Sequence, residues 1–329
     1  MQADTQLIRF LADGHFHSGE ALGRRLGISR AAVWKRLQQA TDAFGLDIDA
    51  VKGRGYRLRA PLDLLEKKGI LQNLSDEDRQ TMGNLYLHDT LTSTNTWLMQ
   101  RGEAGESSGA VCLAEQQLSG RGRRGRQWVS PYGRNIYFSI LWRFDFAPMQ
   151  VAGLSLAAAI GVLRVLHELN CHEAGLKWPN DILWKKRKLA GLLLEVSGES
   201  SGPSQVVIGV GLNTYLGEAG MSIDQPWVDL NSIPGIVPFN RNEFAALLIS
   251  QMIRIISIYQ REGLAAFVDE WHRYDLMVGE EVEIRSATQC HHGTHLGIDI
   301  TGAIRLKTQE GERLFHAGEV SLRGNRVVR

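Results

Sequence analysis

Residues 120–126 constrain this chain more than any other segment, because they place three glycines and four arginines in seven positions. Glycine lets backbone approach a ligand closely and lets a loop change shape. Arginine carries a permanent charge on a planar group whose donors match carboxylate and phosphate. The segment therefore predicts a loop that binds an anion and becomes ordered around it. A solvated basic loop without a ligand is the alternative.

The same glycines match G-x-G-x-x-G, the dinucleotide-binding pattern. That pattern needs a strand before the glycines, a helix directly after them and an acidic residue about 20 positions on. A strand-like run covers residues 110–114, but residues 127–133 are turn-like and Asp145 is a poor acidic partner. The context disfavours a nicotinamide-dependent oxidoreductase.

Composition indicates an ordinary globular protein, with 43% hydrophobic and 22% charged residues in 329 positions, enough for two or three domains. The net charge is +1. Three cysteines without metal-ligand spacing and the absence of a signal-peptide pattern predict a cytoplasmic protein. The apolar stretch at residues 151–163 is too short for a membrane span and predicts a buried helix.

Charge is unevenly distributed, since residues 1–60 contain ten Lys and Arg but six Asp and Glu. Such asymmetry is a sign of nucleic-acid contact. Within this segment Ser29 is a good N-cap, and residues 33, 37, 40 and 44 form one apolar helical face. A tight turn at Gly27 before this helix indicates a helix-turn-helix. Residues 51–58 predict a basic β-wing with glycine at its tip.

The exposed face of the second helix and the wing would then contact DNA. Lys side chains suit phosphates, whereas Arg and Gln can also reach base edges. The alternative is a helical hairpin with a solvated basic face, and Trp34 could either touch a base or pack. The candidate DNA-binding residues are Arg30, Trp34, Lys35, Gln38 and Arg54.

Three domains follow from these patterns: a winged helix-turn-helix at 1–62, a mixed α/β domain at 63–272 and a small SH3-like β-barrel at 273–329, an α+β protein overall. Pro61 and the charged run at 66–68 suggest a linker. In the central domain we predict strands at 85–88, 110–115, 135–141, 182–184, 189–196 and 206–212. We predict helices at 94–101, 151–169 and 243–262. The histidines at 291, 292 and 295 do not predict a metal site, because no acidic or cysteine ligand accompanies them and glycine interrupts any helix.

Several polar motifs of the central domain could bind a ligand or have a purely structural role. Ser93, Thr94 and Asn95 precede a helix and could bind a ligand or simply cap it. Residues 177–181 (Lys-Trp-Pro-Asn-Asp) combine a cation, an amide and a carboxylate, or form a charged turn around a packed tryptophan. Residues 185–188 are a basic cluster between two strands, which could be a solvated hairpin tip or a nuclear localisation signal. Residues 209–213 end a buried strand with an amide.

Together these motifs resemble bifunctional biotin–protein ligase, the biotin operon repressor family. The matching pieces run nearly from end to end: residues 16–20, 29–32, 93–95, 116, 120–126, 128, 177–181, 187–191, 208–213 and 318–323. The region 217–238 matches least and looks like a variable loop.

The resemblance implies ATP-dependent joining of biotin to a lysine of the biotin carboxyl carrier protein of acetyl-CoA carboxylase. The intermediate, biotinyl-5'-AMP, would also act as corepressor for binding of a homodimer to operator DNA. Mg²⁺ would arrive with ATP, without a protein-held metal. Implied catalytic residues are Arg123, Asp181 and Lys188. Implied biotin contacts are Ser93, Thr94, Asn95, Gln116, Arg121, Gly122, Arg123 and Lys188. Implied ATP or adenylate contacts are Arg123, Arg126, Trp128, Lys177, Asn180 and Asn213.

Two other functions remain open on the residues alone. A biotin-sensing transcription factor without catalysis would keep the helix-turn-helix and a pocket, but would not need Lys188 or the arginines. A lipoate-type ligase would have a more apolar pocket with fewer amides.

Overall fold

The computed structural model describes residues 5–200, 202–285, 289–317 and 321–324, the last four by backbone alone. The N-terminal part holds three helices and a hairpin: α1 (Thr5–Leu11), α2 (Gly19–Leu26), α3 (Arg30–Phe44), β1 (Ile48–Val51) and β2 (Gly55–Leu58). The Ser29 hydroxyl oxygen accepts a hydrogen bond from the Ala32 amide, and Gly27 ends α2 in a left-handed conformation. The predicted helix-turn-helix is confirmed.

The wing is also confirmed, but its first strand begins at Ile48, before the predicted Val51. This strand contains Asp49, which interrupts an apolar pattern. Asp49 is stabilised there because it pairs across the hairpin with Arg57, at 3.0 Å. Gly53 lies in the turn with φ 82°.

The connection after the wing is packed rather than a free linker. Leu62 and Leu64 are buried in the core of the N-terminal domain, and Leu65 is buried in the core of the central domain. Lys67, predicted to lie in the linker, begins a helix. Residues 66–68 are themselves exposed, as their charges predict, but the neighbouring leucines bury enough apolar surface to hold the segment in place.

The central domain is built on a seven-stranded sheet in the order β3-β4-β5-β9-β8-β7-β6, in which only β3 and β4 are parallel. Its strands are β3 (Leu85–Leu91), β4 (Val111–Gln117), β5 (Ile136–Phe144), β6 (Ala174–Lys177), β7 (Asp181–Trp184), β8 (Arg187–Gly198) and β9 (Ser204–Leu212). The six predicted strands are present, and β6 was not predicted.

Helices cover both faces of this sheet: α4 (Lys67–Gln72), α5 (Asp76–Thr81), α6 (Thr94–Glu103), α7 (Leu154–Glu168), α8 (Arg241–Glu262) and α9 (Val268–Tyr274). On one face, α7 and α8 form the main core with the sheet, while α6 packs on the other through Leu98. The stretch Pro148–Glu168 is long and apolar enough to cross a membrane, but 72% of its apolar window is buried inside the protein. It is the buried core helix that the sequence predicts.

The C-terminal domain is a five-stranded antiparallel sheet in the order β13-β12-β11-β10-β14. Its strands are β10 (Glu281–Arg285), β11 (Cys290–Ile298), β12 (Ile304–Thr308), β13 (Gly311–Phe315) and β14 (Ser321–Gly324). Gly302 and Gly311 lie at the predicted turns. Within the described ranges the edge strands β13 and β14 do not pair, so the expected barrel is not closed.

Candidate active site and DNA-binding surface

The glycine–arginine loop is a short hairpin between β4 and β5. The Trp128 amide donates to the Gly120 carbonyl at 2.8 Å, and the Gly122 amide donates to the Arg126 carbonyl at 2.7 Å. At its tip, Arg124 and Gly125 have left-handed φ values of 59° and 72°. No helix follows the glycines, and β4 and β5 run antiparallel. This connection rules out the dinucleotide-binding arrangement, which needs a strand leading directly into a helix.

A pair of glycines forms the seat for Trp128. Gly191 of β8 and Gly211 of β9 lie directly opposite each other, and the indole packs against both. A methyl group on Gly211 would lie 2.4 Å from the indole carbon Cε2. The ring therefore rests on the sheet, with the Lys188 ammonium 5.4 Å from its centre.

The three implied catalytic residues lie close together, and Lys188 joins them to this indole. Lys188 Nζ is 2.7 Å from Asp181 Oδ1, and both side chains are largely buried. Burial lowers the pKa of Arg123, while the nearby Asp181 carboxylate acts in the opposite direction. Two cations thus share one carboxylate at a partly desolvated place, where further anions are attracted.

The Lys-Trp-Pro-Asn-Asp turn, between β6 and β7, supports this cluster. Asn180 Oδ1 accepts a hydrogen bond from Arg123 NH1 at 3.5 Å, and the Asn180 amide donates to the Leu192 carbonyl. Trp178 is buried, and its Nε1 donates to the Gly302 carbonyl of the C-terminal domain at 3.0 Å. Lys177 lies directly opposite Asp181 in the β6–β7 pairing.

The polar start of α6 is a second cluster. Ser93 occupies the N-cap position without forming a capping hydrogen bond, so it is not the ordinary cap that was the alternative. Ser139 of β5 is fully buried, and its Oγ lies within hydrogen-bond distance of Asn95 Oδ1, to which it donates at 2.6 Å, and of Thr94 Oγ1, at 2.7 Å. Ser139 was missed in the sequence, where it looks like one small residue in an apolar strand.

Of two adjacent glutamines, the structure joins Gln117 rather than Gln116 to this cluster. Gln117 Oε1 accepts from the Thr94 amide at 2.9 Å and from its hydroxyl at 3.1 Å. The expected Gln116 instead contacts Thr90 on β3, at 3.5 Å. Successive side chains of a strand point to opposite faces, so only one of the two can face the helix start.

The segment at 217–238, which looks like a variable loop in the sequence, lies against Lys188. The Lys188 amide donates to the Pro226 carbonyl, and the Val228 amide donates to the Lys188 carbonyl, both at 2.9 Å. The buried Asn213 amide donates to the Val228 carbonyl at 3.2 Å. Asn213 thus holds the backbone around Lys188.

Arg126 is another implied ligand contact that lies apart from the candidate site. It is exposed, and its side chain has no ion pair or hydrogen bond to the described residues. Gly122, by contrast, lies inside the loop hairpin beside the Arg126 backbone.

The five candidate DNA-binding residues are all exposed on the helix-turn-helix and its wing. Trp34, whose role was open, stacks on Tyr56 with ring centres 5.6 Å apart and remains 39% exposed. It therefore packs and still presents an edge. The Arg54 guanidinium lies 4.2 Å from the centre of the Phe16 ring, which orients it on the wing.

The histidines of β11 separate, and the sequence interpretation of their neighbours is wrong. His295 is fully buried and bonds Asp275 at 2.7 Å. His292 has both a cysteine and an acidic neighbour: Cys290 Sγ lies 3.4 Å from its Nε2, and Glu283 is its partner on β10. Cys290 lies two residues before His292 in the sequence, whereas Glu283 approaches His292 only through strand pairing. The motif at 318–323 lies partly outside the described residues, and only the backbone of 321–323 is described.

Family models match all three parts of the chain. A biotin/lipoate A/B protein ligase family model matches residues 87–213, a helix-turn-helix domain model matches 4–57 and a biotin protein ligase C-terminal domain model matches 278–323. Fold and site thus define a ligase of the biotin/lipoate class joined to a helix-turn-helix domain.

Individual relatives narrow this class. The chain is 38% identical to the bifunctional ligase/repressor BirA of Escherichia coli (strain K12), over 97% of this chain and 96% of that protein. It is 33% identical to the biotin–[acetyl-CoA-carboxylase] ligase of Paracoccus denitrificans, over 67% of this chain and 93% of that one. The biotin protein ligase of Aquifex aeolicus in complex with biotin and ATP superposes with a TM-score of 0.64 at 27% identity, covering 74% and 99%. The chain belongs to the family of bifunctional biotin–protein ligases and repressors.

Proposed function

We propose that this chain activates biotin with ATP, transfers it to a lysine of the biotin carboxyl carrier protein, and represses transcription when it holds the intermediate. The observation that carries this function is the cluster of Arg123, Asp181 and Lys188 beside the indole of Trp128, in a chain that also contains a winged helix-turn-helix. Relatives named as bifunctional ligase and repressor match along almost the whole chain, which supports both activities.

In the first step a biotin carboxylate oxygen bonds to the α-phosphorus of ATP, and pyrophosphate leaves. The carboxylate is already a nucleophile, so the main barrier is repulsion between anions. Lys188 and Arg123 reduce it by placing positive charge where the anions meet. ATP enters as its magnesium complex, which screens the phosphates as in other phosphoryl transfers.

In the second step a lysine amine of the acceptor attacks the biotinyl carbonyl carbon, and AMP leaves. The amine must be neutral to attack. Asp181, 2.7 Å from Lys188, is positioned to orient this amine or to accept its proton. The adenylate side of the site is formed by Trp128, Asn180, Lys177 and Asn213. The indole of Trp128 limits access of water there. Arg126 would join them only after loop movement, because it is exposed here.

The polar start of α6 favours biotin over lipoate. Ser93, Thr94, Asn95 and Gln117 offer hydroxyls and amides suited to a ureido ring, and Gln117 takes the role first expected of Gln116. A pocket of paired polar groups discriminates strongly against a ligand that lacks the matching groups. Arg121 and Gly122 border the same pocket from the loop.

Repression requires that the adenylate-bound protein forms a homodimer. Two helix-turn-helix domains then match a palindromic operator, because a two-fold dimer presents two recognition helices to half-sites about one helical turn apart. Biotinyl-5'-AMP acts as corepressor by ordering residues 120–126. We place this protein in the cytoplasm, where both the carrier protein and the operator are accessible.

The test of ligation is a mass measurement. The chain is incubated with biotin, ATP, Mg²⁺ and a biotin-acceptor domain, and the acceptor should gain the mass of one biotinyl group. Lys188→Met should slow the gain strongly, whereas Lys186→Met, on the exposed turn, should not. Retained biotin without any transfer by the unaltered chain would favour the non-catalytic sensor instead.

A further inference from the structure

We propose that Glu195 is a positioning residue for biotin binding, holding Asn95 and Arg121 in their binding orientations from strand β8. This role rests on the proposed function, because it assumes that these two side chains contact biotin. The sequence shows Glu195 only as a charge between Leu194 and Val196, and it belongs to none of the matching motifs.

Asn95 is held on three sides. Its Nδ2 donates to Glu195 Oε2 at 2.9 Å and to the Leu193 carbonyl at 3.0 Å, while its Oδ1 accepts from Ser139. Gly209 completes the slot, since a methyl group there would lie only 2.1 Å from Asn95 Oδ1. These contacts use both N–H groups of Asn95, so the amide can offer a ligand only the remaining lone pair of Oδ1, as an acceptor.

Arg121 is held by the same carboxylate. Its NH2 lies 2.8 Å from Glu195 Oε1 and 3.0 Å from Oε2, and it also donates to Thr96 Oγ1 at 2.9 Å. All three contacts use NH2. No hydrogen bond to the described part of the chain uses Nε or NH1, so these donors remain available to a ligand while NH2 keeps the guanidinium in place.

A carboxylate is needed because both of its oxygens accept hydrogen bonds. Glutamine has nearly the same size as glutamate, but its side-chain amide nitrogen is a donor. That nitrogen would face one of the two donors, Asn95 Nδ2 or Arg121 NH2. Glu195→Gln therefore breaks one of the two links without creating a cavity. The catalytic cluster at Lys188 makes no contact with Glu195 among the described side chains, so binding and chemistry should respond separately.

The experiment compares steady-state kinetics of biotin transfer in the full chain and in Glu195→Gln. A hydrogen bond to a charged group corresponds to about tenfold or more in binding. We expect KM for biotin to rise at least about tenfold, while kcat and KM for ATP change less than about twofold. Glu199→Gln, an exposed carboxylate just beyond the same strand, is the matched control and should behave as the unaltered chain.

A second variant tests the same role if Glu195→Gln does not fold. Thr96 lies on α6, outside the sheet, and Thr96→Val removes the hydrogen bond that Arg121 NH2 donates to Thr96 Oγ1. We expect a several-fold rise in KM for biotin. In an Arg121→Ala background, Thr96→Val should have no further effect. Unchanged KM for biotin in both Glu195→Gln and Thr96→Val would overturn the role of Glu195, as would a loss confined to kcat. If the unaltered chain transfers no biotin, the proposed function itself fails, which is a separate outcome.

Discussion

Phe44 stacks on Tyr132 with ring centres 4.2 Å apart. Phe44 is the last residue of recognition helix α3, and Tyr132 lies on the segment that leaves the glycine–arginine loop. The Tyr132 hydroxyl donates to Asp89 at 3.1 Å, and Arg9 of α1 pairs with the same carboxylate at 2.7 Å. Burial, and next the charge of Asp89, raise the pKa of Tyr132, so the phenol stays protonated and remains a donor. The helix-turn-helix domain is thus docked on the segment next to the glycine–arginine loop.

Tyr132→Ala should loosen this docking. Truncation of a buried aromatic side chain costs on the order of 3–5 kcal/mol, so we expect unfolding of the N-terminal domain at clearly lower guanidinium chloride. Tyr132→Phe keeps the ring stack and removes only the hydrogen bond to Asp89. The decrease in its free energy of unfolding should therefore be about half that of Tyr132→Ala or less. Equal stability of the alanine and phenylalanine variants would contradict a structural role for the ring.

Gly211→Ala should displace Trp128, because its methyl group would meet the indole at 2.4 Å. Misplacement of an active-site group by about 1 Å can lower a rate by roughly 100-fold, and we expect a loss of 10- to 100-fold in kcat/KM for ATP. The measurement is the rate of biotin transfer at several ATP concentrations, which gives kcat/KM for ATP. Gly202→Ala, in the turn before β9, is the control and should retain full activity.

Stability below pH 4.5 should depend on Glu106. The hydrogen bond from Tyr86 is the largest cause that lowers the pKa of Glu106 from its usual 4.5 to about 2, helped by Asn84 and Arg101 and opposed by burial. The folded state therefore favours the carboxylate, and this stabilisation is present above pH 4.5 and lost as the pH falls toward 2.

Urea unfolding at pH 7 and at pH 3 measures this effect. Glu106→Gln should be less stable than the unaltered chain at pH 7, and the difference should shrink at pH 3. The exposed Glu103→Gln is the control. A difference that is the same at both pH values would show that charge on Glu106 is not the cause.

Lys35→Ala should weaken operator binding and spare ligation. Loss of one phosphate contact per subunit lowers the slope of log affinity against log salt by about 1 for each contact. Fluorescence anisotropy with labelled operator DNA at several salt concentrations gives the slope. Ligation lost together with DNA binding would show that the two functions do not reside in separate domains.

Helix α3, the wing, the glycine–arginine loop and the three-part organisation were all predictable from the sequence. Each depends on residues close together in the chain: Ser29 caps the helix that it precedes, apolar residues at 33, 37, 40 and 44 share one face, and Gly53 permits the turn of the wing. The resemblance then supplied the roles of Arg123, Asp181 and Lys188, whose proximity the structure bears out while their roles remain proposals.

Tertiary structure alone decided which side chains meet across strands. It selected Gln117 over Gln116, brought Ser139 and Glu195 to the start of α6, seated Trp128 on Gly191 and Gly211, and buried the supposed linker at Leu62. Strand pairing joins residues that are tens of positions apart, and a shift of one residue turns a side chain to the opposite face of the sheet. Local sequence therefore determined which elements form, whereas the packing of the sheet determined which polar side chains face one another.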